Sequence, residues 1–153
     1  MRAWLALALL LALAPAGADS VADFDARHHV TRYVVDKPFD DVVFELNFAI
    51  TDHNFRITGR NDIGKGLRER GYENFPEVEV IHFCSLELAR EVLLLDPGYV
   101  AYMPCRITVH VADGRTVVSV VTLPLDHPDS RVNAFAARMN ATLTEIVDFA
   151  IGR

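Results

Sequence analysis

Two β-rich runs, Val100 to Val111 and Thr116 to Leu123, flank the tetrapeptide Ala112-Asp113-Gly114-Arg115. An Asp-Gly pair tolerates the positive φ angles that a two-residue type I′ turn needs at both central positions, so the runs are expected to fold back as a hairpin. That turn also sets the register. With Asp113-Gly114 as the loop, Val111 faces Thr116, Val109 faces Val118, Ile107 faces Val120 and Cys105 faces Thr122. These residues share the apolar face. Arg106, Thr108, His110 and Arg115 point the other way, beside Val117, Ser119 and Val121. Cys105 is therefore expected on the core side.

Upstream, Val78 to Cys84 reads as a strand with apolar residues on both faces, which suits an interior position or a covered sheet. Ser85 is placed to cap a following helix whose buried stripe is Leu88, Val92 and Leu95, ended by Asp96-Pro97-Gly98. Val78–Cys84 and Val100–Cys105 then read as parallel neighbours joined by that helix, with both cysteines near one end of the sheet. Earlier still, Val30 to Val35 alternates as a strand, and Phe39, Val42, Val43, Leu46, Ala49 and Ile50 recur at helical spacing. Asn54 is suited to closing that helix in a left-handed conformation, and Phe55 to Thr58 forms a short strand. After Pro124, a last helix carries Val132, Phe135, Met139, Leu143, Ile146 and Ala150, and Gly152 stops it. The order predicts one α+β domain: a two-layer sandwich, with a mainly antiparallel sheet of about five strands and helices packed on one face.

Residues 1–18 read as a signal peptide. Arg2 precedes the apolar run Trp4 to Ala14, and Ala16-Gly17-Ala18 offers a small-x-small cleavage site before Asp19. The run is shorter than the roughly 20 residues needed to span a bilayer. A soluble mature protein, residues 19–153, is expected in the periplasm or outside the cell, with a loose lead and an ordered core from about residue 28. A net charge of -6 with no basic block argues against nucleic acid and against stable association with an anionic membrane. Gly59 to Gly66 fits the frame of a phosphate-binding loop, but Gly66 stands where a Ser or Thr would hold magnesium. The segment is read as a glycine-rich loop leading into a short helical turn.

The run Phe83-Cys84, a helix, then Met103-Pro104-Cys105-Arg106 and a Val-rich hairpin resembles the bacterial family catalogued as domain of unknown function 302. The resemblance covers most of the mature chain. It implies the two-layer fold and leaves activity open. The positions matching the family's motif are Cys84, Pro104 and Cys105; Ser85 departs from an Asn after the first cysteine.

The two cysteines, an even count in an exported chain, suggest a structural disulfide between Cys84 and Cys105 worth about 3 kcal/mol, in a binding or accessory module. A second reading is a soft-metal site: His82 and Cys84, two apart on a strand, share a face, Met103 and Cys105 do likewise, and the four make a donor set suited to copper(I). A third is a thiol redox or sulfur-carrier role, for which there is no Cys-x-x-Cys motif and no adjacent base. No Ser-His-Asp order or paired-carboxylate spacing stands out, so the reading leans away from an enzyme. His28, His29, His53, His110 and His127 are read as scattered surface residues. The two-sided apolar character of Val78–Cys84, with Val117 and Val121 on the hairpin's outer face, points to a homodimer through that face or an edge; a small molecule or another protein is the rival partner.

Overall fold

The computed structural model describes residues 21–153; the leader and its cleavage site lie outside them. The chain runs α1 (Val21–Arg27), β1 (Val30–Val35), α2 (Phe39–Asp52), β2 (Arg56–Asp62), α3 (Ile63–Arg68), β3 (Val78–Cys84) and α4 (Leu86–Leu93). A 3₁₀ turn over Pro97–Tyr102, β4 (Cys105–Ala112), β5 (Arg115–Val121) and α5 (Ser130–Ile151) complete it. The five strands form one sheet in the order β1-β5-β4-β3-β2, and every neighbouring pair is antiparallel.

The central hairpin has the expected register, with Ile107 opposite Val120, Val109 opposite Val118 and Val111 opposite Thr116. Asp113 and Gly114 both take positive φ, 51° and 74°, as a type I′ turn requires. One face of the sheet is thereby committed to the core: Ile81, Phe83, Ile107, Val109, Val118 and Val120 are fully buried or nearly so. α2 and α5 pack against each other over this face. They bring Leu46 and Ile50 from one helix and Leu143 and Ile146 from the other. Burying a side chain of this size contributes about 1.5–3 kcal/mol, so the sheet's inner face and these two helices carry most of the fold's stability. Asn140 clips α5 to the end of the hairpin. Its amide donates to the Leu123 carbonyl at 2.9 Å and accepts from the Leu123 N–H at 2.7 Å.

Four expectations need correction. β3 and β4 are antiparallel rather than parallel, because residues 97–102 form a 3₁₀ turn that reverses the chain where a strand was expected from Val100. Asp96 caps that turn, its carboxylate accepting from the Gly98 N–H at 2.8 Å, and Tyr99 is buried against Phe135. β2 extends to Asp62, past the expected stop at Thr58, with a bulge between Ile57 and Gly59. The lead expected to be loose is helical as α1. Asp25 is buried and accepts two hydrogen bonds from Arg32, and His28 bonds the Phe24 carbonyl at 2.7 Å.

Finally, Val117 is only 6% exposed, so the hairpin's outer face offers less apolar surface than its sequence suggests. Exposed aromatic residues instead gather on the helical layer, where Phe48 of α2 stacks on Phe149 of α5.

The glycine-rich segment is structural. Asp62 caps α3 by accepting from the Lys65 N–H at 2.8 Å, which occupies a donor that a phosphate would need. Gly64 is buried where a Cβ would lie 2.6 Å from the Pro76 carbonyl oxygen and 2.8 Å from the Val78 nitrogen. Alanine would gain about 1 kcal/mol of helix propensity. The backbone on which it would collide leads directly into β3, and overpacking of that kind costs about 1–3 kcal/mol. Gly64→Ala is expected to lower the urea midpoint; an unchanged or raised midpoint would contradict this packing.

Candidate functional site

The strands bring the motif residues to one end of the sheet. Cys84 is the last residue of β3 and Cys105 the first of β4, and the antiparallel turn between them keeps them at the same end. Cys105 is paired with Phe83, so it shares Phe83's helix-facing side. Cys84 is paired with Arg56 of β2 and lies where the chain leaves the sheet for α4. Both thiols are free. The two are not bridged to each other, and the register sets Cys105 opposite Phe83, one residue out of line with Cys84.

Cys84 and Cys105 line one pocket, under α4 and the 3₁₀ turn, with Met103, Leu88, Tyr99 and Phe135 among its other walls. Its interior is about 30 Å³ and it opens to solvent. The lining is almost wholly apolar, and its polarity is confined to a few atoms. Burial pushes the Cys105 thiol up to about 11, with the nearby Cys84 adding to the effect. Tyr99 is pushed up to about 12, again chiefly by burial. Its side chain is 2% exposed, and its hydroxyl oxygen has no hydrogen-bond partner among the described residues.

The four residues considered for copper do not line one pocket: Cys84, Met103 and Cys105 line the first, while His82, paired across the sheet with Arg106, lines a second cleft with Met103 and Cys105. The His82 Nε2 is 3.0 Å from Asn61 Oδ1. Among the described residues, no three His, Cys, Asp or Glu side chains gather as a metal-binding set. Pro104 follows a cis peptide bond and lines that second cleft with His28, His29, His82 and Arg106, next to the first pocket through the shared residues Met103 and Cys105. Sequence reasoning missed Tyr99 because Val100 was read as strand. The Asp96-Pro97-Gly98 run, suited to a turn, was the available signal for a continuing helical turn.

The raised Cys105 value has a consequence for stability. From the ordinary thiol value near 9 up to about 11, the unfolded chain has released a proton that the folded chain retains. Cys105 therefore stabilises the fold fully below pH 9, and its contribution falls as pH rises to about 11. Urea midpoints measured under reducing conditions across that range are expected to fall more steeply for the natural chain than for Cys105→Ala. Equal slopes would contradict a buried thiol.

Comparison with known proteins agrees with this fold. No curated protein matches the chain. The crystal structure of an uncharacterized conserved DUF302 protein from Bacillus stearothermophilus is similar, with a TM-score of 0.71 and 17% identity, covering 80% of this chain and 98% of that one. At that identity the likeness concerns the fold. The family model described as domain of unknown function DUF302 matches residues 31–149, which takes in every strand of the sheet except the first residue of β1. The chain belongs to the DUF302 family.

Proposed function

We propose that the domain is an exported, non-catalytic binding module whose ligand site is the pocket between Cys84, Cys105 and Tyr99. The observation that carries the reading is the hydroxyl of Tyr99, a residue that lines this apolar pocket: it is buried without a partner among the described residues. A buried hydroxyl left unpaired costs about 1–3 kcal/mol, and a ligand that accepts its hydrogen bond recovers that cost. The ligand class follows from the walls. Apolar side chains and an un-ionised Cys105 thiol disfavour a charged group, so the part of the ligand that enters is small, uncharged and apolar, with one hydrogen-bond acceptor. Export is supported by Arg2, the run Trp4 to Ala14 and Ala16-Gly17-Ala18.

A redox or carrier role fits less well, because a nucleophilic cysteine needs thiolate at neutral pH and burial moves Cys105 the other way. A second reading is favoured by one observation: the sulfur atoms of Cys84, Met103 and Cys105 belong to residues of a single pocket, a soft donor set for copper(I) without His82.

Tyr99→Phe separates these readings. Removing an unpaired hydroxyl is expected to leave the ligand-free protein as stable or up to about 2 kcal/mol more stable. It should also weaken binding of acetone, a small ketone probe, followed by shifts of pocket-residue NMR signals. A loss of stability would mean that the hydroxyl already has a partner. Copper(I) uptake insensitive to Tyr99→Phe but lost in Cys84→Ser would favour the second reading.

A further inference from the structure

We infer that the cleft lined by Pro104 is a second binding site, which takes a small organic carboxylate. The cleft encloses about 290 Å³, and its rim holds His28, His29, His82 and Arg106. No Asp or Glu lines it, in a chain whose net charge is -6. Arg106 is the telling residue. Arg32, Arg60, Arg68, Arg131 and Arg138 each pair with a carboxylate of this chain, whereas the side chains of Arg56, Arg90, Arg106 and Arg115 have no ion pair or hydrogen bond among the described residues, and of these four Arg106 is the one that lines the cleft. Its guanidinium fork is left to a ligand, and the geometry of that fork matches a carboxylate.

The rim is held in place from several elements. His29, at φ 55°, is anchored by its carbonyl, which accepts from the Thr122 N–H at 2.8 Å and the Thr122 hydroxyl at 3.1 Å. His82 is held by its bond to Asn61. The cleft is lined as well by Met103, Pro104 and Leu123. That apolar wall suits the hydrocarbon body of an organic acid, whereas inorganic phosphate would leave it unmatched. The site shares Met103 and Cys105 with the thiol pocket but depends on neither the thiols nor Tyr99.

Calorimetric titration of the mature full-length chain with benzoate and with its neutral isostere benzamide tests the inference. Saturable benzoate binding is expected, with benzamide at least about tenfold weaker. Arg106→Gln should weaken benzoate by a similar factor at an unchanged melting temperature, and Arg106→Lys, which keeps the charge but not the fork, should fall between. His82→Gln, at the cross-strand neighbour of Arg106, gives a second variant and is expected to weaken benzoate as well. Equal binding of benzamide, or benzoate binding indifferent to Arg106→Gln, would overturn the site. So would the absence of saturation by about 10 mM. Displacement of benzoate by an equal concentration of inorganic phosphate would overturn the assignment to an organic acid.

Discussion

The two positive φ angles at Asp113 and Gly114 fix where every residue of the central strands points. A shift of one residue in that hairpin would turn Ile107, Val109, Val118 and Val120 out of the core and bring Thr108, His110, Val117 and Ser119 in. α2 and α5 would then face a half-polar surface. β3 is bound by the same constraint, since its pairing with β4 sets Ile81 opposite Ile107 and Phe83 opposite Cys105. β2 and β1 then add to the two edges.

The site is a by-product of this register. Because Cys105 is paired with Phe83, its thiol joins the helix-facing layer, while Cys84 sits one step further along at the point where the chain leaves the sheet. The 3₁₀ turn then lays Tyr99 over the gap, with its ring edge-on to Phe135 at 6.2 Å. The pocket is closed by apolar contacts on most sides, yet it retains two thiols and an unpaired hydroxyl. A segment needed only for packing would more cheaply carry Phe in place of Tyr at that position. In the neighbouring cleft the same strand end presents Arg106 to solvent, so one short segment, Met103 to Arg106, borders two chemically different spaces.

Most of the architecture was legible from local pattern. β1 and β3 have the limits their alternation suggests, the hairpin register follows from Asp113-Gly114, and Gly152 ends α5 in a left-handed conformation. The features that were not legible depend on tertiary contacts. Val100 and Tyr102 have strand-forming side chains, but the Asp96 cap and the burial of Tyr99 hold them in a 3₁₀ turn. α1 is polar by sequence and is fixed by the pairing of Asp25 with Arg32. For the site, the residues were identifiable and their grouping was not. Cys84, Met103 and Cys105 do share a pocket, whereas His82 lines the neighbouring cleft, which also takes in Met103 and Cys105. Tyr99 stood outside any motif, and Arg106, though part of the family-like run, could not be seen from sequence to line a cleft with no side-chain partner among the described residues.

The account depends on Cys84 and Cys105 remaining reduced at the wall of an open pocket. The most direct test is the intact mass of protein recovered from the periplasm, acid-quenched and then alkylated while denatured without reductant. The expected species begins at Asp19 and carries two alkyl groups, one on each cysteine. A species two hydrogens lighter with no alkyl group would mean a disulfide, and would contradict the pocket as described.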